Sequence, residues 1–141
     1  MELTTQEFVI QTEDRVEIHN VTENVEEAVE EIGASDGLVM VRTGHTSAAL
    51  TVNEGEERLL QDLLQAYVDL VPPEQWYFHD QHHLDTDSQR NAFGHILSTF
   101  VRRPAFFVLE DGELRTWTYE DVLFVEFDGP RERSYEVTVL E

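Results

Sequence analysis

The chain contains no cysteine, which excludes disulfide bonds, thiolate-bound metals and a cysteine nucleophile. It also contains no lysine: the 9 basic residues are all arginine, against 30 acidic residues, and the formal net charge is -21. No apolar run approaches the roughly 20 residues that span a bilayer, and the N-terminus lacks a basic segment followed by an apolar one. We therefore expect a soluble, cytoplasmic protein.

The strong negative charge limits the partners that we expect. Nucleic acids and anionic membrane surfaces attract clusters of cations, so neither is an expected partner of this chain. The hydrophobic fraction of 40% is too high for charge-driven disorder, and 141 residues suffice for one domain with its own core. An acidic surface without lysine is what we expect of a halophilic protein, because concentrated salt screens its self-repulsion. The sequence thus predicts one folded domain over residues 1–141.

The hydrophobic patterns predict an α+β fold with a largely antiparallel β-sheet or sandwich and about three helices. The first helix is expected to have Thr22 as its N-cap and to end at Gly33, and the others to span residues 54–70 and 88–100. Strands are expected at residues 7–11, 15–21, 37–42, 48–53, 104–109, 114–118, 121–127 and 134–140. Three consecutive pairs of these strands are expected to form hairpins: the first two, the two around Asp111-Gly112, and the last two.

A polar cluster, Gly44-His45-Thr46-Ser47, separates two apolar strands and is an unusual composition for a core. Polar side chains at strand ends often form binding or catalytic sites. Thr46 and Ser47 could hold a phosphate, or they could simply satisfy backbone groups at a strand end. No G-x-S-x-G turn frames Ser47, so we do not expect it to act as a nucleophile.

The six histidines raise the possibility of a metal site. His45, His79 and His95 could converge on zinc or a similar divalent ion, since a catalytic metal needs about three protein ligands and an open position. Their spacing matches no local metal motif, so separate surface positions remain the alternative. The sequence assigns no role to four further residues near His79: His82, His83, Asp85 and Asp87.

A third polar cluster lies at the turn between the last two predicted strands, and comprises Glu126, Asp128, Arg131 and Arg133. The arginine guanidinium binds phosphate through a bidentate fork, so these arginines could bind a phosphorylated ligand. The alternative is that they form salt bridges with the abundant carboxylates.

Two long motifs resemble those of one known family. Residues 45–54 (HTSAALTVNE) are similar to the H-T-S-A-x-L-T-x-N-E motif of the YjbQ-like family, and residues 126–133 (EFDGPRER) to its E-F-D-G-P-R-x-R motif. Three shorter segments, YFH at 77–79, NAFGH at 91–95 and TW at 116–117, resemble further elements of that family. Arg115 and Thr118 depart from its G-T-W-Q element, and residues 100–104 (FVRRP) lack the glycine usual there.

The resemblance implies a compact α+β subunit that assembles as a homotrimer, with a site near the subunit interfaces for a divalent metal, expected to be zinc, or for an anion. The activity implied is that of a secondary thiamine-phosphate synthase. Such a transferase couples a hydroxymethylpyrimidine diphosphate to a thiazole phosphate and releases diphosphate. Together with the acidic composition, the resemblance suggests a haloarchaeal member of the family.

For this activity the candidate residues fall into three groups. The expected metal ligands are His45, His79 and His95. The expected catalytic residues are His45, Glu54 and Glu126. The expected ligands of the phosphorylated substrate are Thr46, Ser47, Asn91, Trp117, Arg131 and Arg133. Two alternatives stay open: a metal-dependent hydrolase of a phosphorylated small molecule, and a non-catalytic trimer that binds a metal or another ligand.

Overall fold

A computed structural model describes residues 1–81 and 89–141 of the chain. In chain order the strands are β1 (Leu3–Gln11), β2 (Glu17–Asn20), β3 (Gly37–Arg42), β4 (Ala48–Asn53), β5 (Ala105–Glu110), β6 (Glu113–Arg115), β7 (Asp121–Glu126) and β8 (Glu132–Leu140). The helices are α1 (Thr22–Ile32), α2 (Glu57–Leu70) and α3 (Ala92–Val101), and a short 3₁₀ turn covers Phe78–Asp80.

The strands form two antiparallel sheets. The larger has the order β1-β8-β3-β5-β6 and the smaller the order β2-β7-β4. With the three helices, this arrangement confirms the predicted α+β fold.

Two of the three predicted hairpins are wrong, because the consecutive strands lie in different sheets. β1 pairs with β8 while β2 pairs with β7, so the chain crosses between sheets after β1 and again after β7. The hairpin of β5 and β6 is confirmed. Its turn residues Asp111 and Gly112 have φ angles of 53° and 80°, the left-handed pair that a type I′ turn requires.

The two sheets pack face to face, and their inner faces and α1 enclose the larger core, which includes Val25, Val39, Phe124 and Val137. A second core lies on the other side of the smaller sheet, where Val125 and Phe127 pack with Phe93 and Leu97 of α3. Strand β7 is therefore buried on both faces. Alternation of apolar and polar residues cannot reveal the partners of such a strand, which explains the hairpin error.

The helix boundaries differ slightly from the predicted ones. Val21 occupies the N-cap position of α1, and the Thr22 hydroxyl instead accepts a hydrogen bond from the backbone N–H of Val122 at 2.9 Å. Helix α2 begins at Glu57, after Glu56 has capped it by accepting from Leu59 N at 2.7 Å. Among the helices of the described residues, none has the length and apolar content needed to cross a membrane.

Candidate functional site

A buried ion pair joins the end of β7 to the start of β8. The Nε and Nη2 atoms of Arg133 donate to the two carboxylate oxygens of Glu126, at 2.8 and 2.6 Å. The Arg133 side chain is 5% exposed and that of Glu126 is fully buried. Nη2 also donates to the Ser47 hydroxyl at 2.9 Å, so the pair fixes the strand end that carries the first polar cluster.

The Glu126 carboxylate has a full set of hydrogen-bond donors. Besides the two bonds from Arg133, it accepts from Asp128 N and from the Thr12 hydroxyl, each at 2.9 Å. Burial acts to raise the pKa of Glu126, but the hydrogen bonds from Arg133, Asp128 N and Thr12 outweigh burial and lower it. Four donors occupy the lone-pair directions of both oxygens, so we interpret Glu126 as the residue that positions Arg133, not as a base.

A second buried carboxylate, that of Asp128, lies beside the ion pair. We call the group of Asp128, Asn91 and Arg131 the Asp128 corner. The Oδ2 atom of Asp128 accepts from Asn91 Nδ2 and from Arg131 Nη2, both at 2.8 Å. Its Oδ1 atom is buried and has no hydrogen-bond partner among the described residues. An unpartnered buried oxygen is unfavourable, so a donor or a cation from a ligand would stabilise this corner.

Arg131 is held on one edge only. Its Nε donates to the backbone oxygen of Asp128 at 2.8 Å and its Nη2 to the Asp128 carboxylate, while 42% of the side chain remains exposed. Within the described part of the chain, Nη1 of Arg131 makes no hydrogen bond. The outer edge of the guanidinium can therefore bind an anion from solvent.

Helix α3 brings Asn91 and His95 to this corner because it packs very closely on the end of β7. A Cβ atom at Gly94 would lie 3.0 Å from the backbone oxygen of Phe127. Only glycine allows this approach without a shift of the helix. This close packing explains the glycine of the NAFGH segment.

His79 and His95 lie together, with ring centroids 5.0 Å apart and nearly perpendicular planes. Nδ1 of His95 lies 3.1 Å from the backbone oxygen of Thr46. Because a carbonyl can only accept, Nδ1 carries the proton and Nε2 keeps its lone pair. Burial, followed by the neighbouring His79, lowers the pKa of His95, so the ring is neutral near pH 7.

His45 faces different partners. Its Nε2 atom accepts from the backbone N–H of Ser134 at 3.0 Å, so in the neutral ring the proton is on Nδ1. Burial and the positive charge of Arg133 lower the pKa of His45. In this arrangement Nε2 is engaged and cannot bind a metal, whereas Nδ1–H can donate to an oxygen atom.

Of the three predicted metal ligands, His79 and His95 lie side by side, whereas Nε2 of His45 accepts a hydrogen bond from Ser134 N. Residues 1–81 and 89–141 contain no group of three or more His, Cys, Asp or Glu side chains arranged to hold a metal ion. The predicted residues His82, His83, Asp85 and Asp87 lie outside the described residues.

Two other predicted site residues lie at the opposite end of β4. Glu54 follows Asn53, whereas Ser47 precedes Ala48, and the six residues between them span roughly 17 Å as a strand. Trp117 is 83% exposed and lines a surface cavity together with Asn53 and Arg103. Neither Glu54 nor Trp117 therefore belongs to the Asp128 corner of the same chain.

Two residues at the centre of the site, Asp128 and Thr12, were not among the predicted site residues. Asp128 stood within a recognised motif, but nothing in the motif indicates that it is buried with one free oxygen. The contact between the Thr12 hydroxyl and Glu126 could not be predicted either, because it forms where the chain crosses from one sheet to the other. Sheet pairing is the information that would have revealed both.

The fold and this site define a small α+β protein in which a buried glutamate–arginine pair supports a corner lined by histidine, asparagine and arginine. The chain belongs to the YjbQ-like family: the family model described as UPF0047 protein YjbQ-like matches residues 6–141. A UPF0047 protein of Archaeoglobus fulgidus is 42% identical over 134 residues, covering 95% of this chain and 99% of that protein. The UPF0047 protein YugU of Bacillus subtilis is 30% identical over 132 residues, covering 93% and 95%.

Solved structures of similar proteins have the same fold. The hypothetical protein APE1520 of Aeropyrum pernix superposes with a TM-score of 0.89 at 34% identity, over 97% of this chain and 98% of that chain. A YbjQ-like protein of unknown function from Sulfolobus solfataricus gives a TM-score of 0.88 at 28% identity, over 98% and 96%.

Proposed function

We propose that the protein is a transferase that handles phosphorylated small molecules and forms thiamine phosphate from a hydroxymethylpyrimidine diphosphate and a thiazole phosphate. The observation that carries this proposal is the Asp128 corner, where a half-exposed guanidinium adjoins a buried carboxylate oxygen without a partner. A ligand with an anionic group and a hydrogen-bond donor satisfies both. An aminopyrimidine diphosphate has both groups.

The chemistry of this transfer requires no general base. The bond between the pyrimidine methylene carbon and the diphosphate oxygen breaks, and its electron pair leaves with diphosphate. The ring nitrogen of the thiazole supplies the lone pair that forms the new carbon–nitrogen bond, so no proton has to be removed. The Glu126 carboxylate, whose oxygens already accept four hydrogen bonds, therefore does not need to act as a base in this reaction.

Each residue of the corner has a role in this mechanism. Arg131 binds the diphosphate through its exposed edge and neutralises the charge that develops as the bond breaks. Oδ1 of Asp128 accepts a hydrogen bond from the exocyclic amino group of the pyrimidine, and Asn91 keeps Asp128 in position. The proton on Nδ1 of His45 is available to a phosphate oxygen.

The buried pair below the corner supplies rigidity. Arg133 bonds to both Glu126 and Ser47, so it fixes the junction of β4, β7 and β8 from which the active residues project. This placement makes Arg133 and Ser47 positioning residues in the proposal, and not ligands of phosphate.

A divalent metal, expected to be zinc, is part of the proposal but no step above depends on it. His79 and His95 would provide two of its ligands, and the ion would supply positive charge beside a diphosphate when bound. Metal analysis of the purified protein tests this arrangement. Zinc retained by His45→Ala and lost by His95→Ala supports it, and equal loss in the two variants contradicts it.

The homotrimer is also proposed, because it would explain the position of Trp117. This exposed side chain lies at the far end of β4 from the Asp128 corner, so it can reach such a corner only from a neighbouring copy. Sedimentation velocity tests the assembly. A single species with the mass of three chains is expected, and a monomer at micromolar concentration would contradict the proposal.

Hydrolysis of a phosphorylated small molecule is a second candidate function, favoured by one observation. In this alternative the Nε2 lone pair of neutral His95 is not a metal ligand and could accept a proton from water. Product analysis separates the two functions. Release of diphosphate that requires the thiazole phosphate supports transfer, whereas equal release without it supports hydrolysis. If neither substrate is consumed, the catalytic proposal fails and the non-catalytic binding alternative is favoured.

A further inference from the structure

A cavity of about 440 Å³ opens between the C-terminal end of β3 and the segment that joins α3 to β5. Three of its lining residues are arginines: Arg42, Arg102 and Arg103. None of the described residues that line it is acidic. In a chain of net charge -21 with only 9 basic residues, this concentration of positive charge requires an explanation.

Two of these arginines are oriented by neutral groups. Nη2 of Arg102 donates to the backbone oxygen of His45 at 2.9 Å, and Nη1 of Arg103 donates to the backbone oxygen of Val52 at 3.2 Å. Within the described residues, neither guanidinium has a carboxylate at ion-pair distance. The carbonyls fix the direction of the side chains without cancelling their charge.

Five of the six other arginines are different, and Arg15, which donates to the backbone oxygen of Arg90 and has no carboxylate at ion-pair distance within the described residues, is the exception. Arg58, Arg90, Arg115, Arg131 and Arg133 each lie within 4.0 Å of a carboxylate oxygen. The third arginine of the cavity, Arg42, is 3.9 Å from Glu136, and more than half of its side chain is exposed. Such an exposed pair leaves most of the guanidinium available to another anion.

Apart from Thr43 and Gly44, the residues of the remaining wall are apolar. Phe106 of β5 stands directly opposite Met40 of β3 in the sheet, and Phe106 is 59% exposed. Leu50 of β4, which is buried, also lines the cavity. A planar ring placed here would cover exposed aromatic surface while an attached anion reached the arginines.

We propose that this cavity binds an organic phosphate, with its aromatic or other planar ring against Phe106 and Met40 and its phosphate on Arg102 and Arg103. The inference does not rest on the transferase activity proposed above. It concerns a second anion site, built from arginines other than Arg131.

Calorimetric titration with phenyl phosphate tests the proposal, with inorganic phosphate and phenol as reference probes. All titrations use one sodium chloride concentration at which circular dichroism shows a folded chain. The wild type is expected to bind phenyl phosphate more tightly than either reference. Arg102→Gln and Arg103→Gln should each weaken binding by about tenfold or more, because each removes a charge-assisted hydrogen bond. Arg58→Gln, at an exposed position on α2, is the matched control and should bind as the wild type does.

One further variant keeps the test decisive if an arginine variant fails to fold. Phe106→Glu places a carboxylate at an exposed position on the rim and should weaken binding at least as much as the arginine variants do. Binding of phenyl phosphate no tighter than that of inorganic phosphate, or wild-type affinity in Phe106→Glu, would each overturn the proposal.

Discussion

Nη2 of Arg133 lies 2.6 Å from Oε1 of Glu126, and both side chains are removed from solvent. The pair connects β7 of one sheet to β8 of the other and holds the Ser47 end of β4 through the same guanidinium. A buried pair of this kind contributes little net stability relative to an apolar pair, but loss of one partner is costly because the other charge remains buried. We therefore interpret the pair as holding the site residues in position. Its disruption should lower the free energy of unfolding measurably.

Glu126→Gln should destabilise the fold strongly. The amide cannot neutralise Arg133, so we expect a loss of about 3–5 kcal/mol in the free energy of unfolding. Urea denaturation at constant salt measures the difference. Glu136→Gln, which affects the exposed pair with Arg42, is the control and should change stability by about 1 kcal/mol or less. Equal effects of the two substitutions would show that the buried pair is not important for folding.

The same carboxylate should contribute to acid sensitivity. The net effect of burial and hydrogen bonding is a lowered pKa for Glu126 in the folded state, so its stabilising contribution is complete above the unfolded value of about 4.3. The contribution is lost as pH falls through the lower, folded pKa. The stability difference between the wild type and Glu126→Gln should therefore shrink below about pH 4. A difference that grows on acidification is inconsistent with the hydrogen-bond network described here.

Gly129 should tolerate no side chain. A Cβ atom there would lie 2.1 Å from the backbone oxygen of Asp14, and this contact joins the two crossings between the sheets. Gly129→Ala should cost more than about 2 kcal/mol, because backbone must move to accept the methyl group. Gly44→Ala is the matched control, since its Cβ would approach only the end of the Arg42 side chain, at 3.9 Å. Thermal unfolding of the two variants should differ clearly, and similar melting temperatures would argue against the close contact.

Salt should stabilise the protein. The net charge of -21 produces self-repulsion that dilute buffer screens poorly, whereas molar salt shortens the screening length to about 3 Å. We expect the circular dichroism signal of the fold to be lost on dialysis from molar to millimolar sodium chloride, and to return when salt is restored. Full stability in dilute buffer would contradict the halophilic interpretation.

Local sequence signals predicted the elements well, but not the way in which the sheets are assembled. Features that depend on residues close together in the chain could be predicted. They are the helical spacing of apolar residues in α1 and α2, the end of α1 at Gly33 and the turn at Asp111-Gly112. The placement of β1 and β2, and of β7 and β8, in different sheets depends on pairing between distant strands. Strand β7 is also buried on both faces, so its sequence does not indicate its neighbours. Pairing between distant segments leaves no local signature in such a strand.

The site was predictable to a similar extent. The motifs containing Ser47, Glu126, Arg131 and Arg133 do meet in space, as their shared resemblance implied. The residue types alone do not show that Arg133 and Glu126 form a buried ion pair, or that Arg131 is half exposed. The state of His45 was likewise hidden, because it depends on the backbone N–H of Ser134, a residue 89 positions away along the chain.

The most direct test of the central claim is the rate of diphosphate release from the hydroxymethylpyrimidine diphosphate in the presence of the thiazole phosphate, for the wild type, Arg131→Gln and Arg58→Gln. Removal of the charge on Arg131 should lower kcat/KM by about 100-fold, a typical cost for a group that stabilises charge in the transition state. Arg58→Gln should retain wild-type kinetics. Undiminished release by Arg131→Gln, in a variant shown to be folded, would contradict the assignment of the Asp128 corner as the diphosphate site.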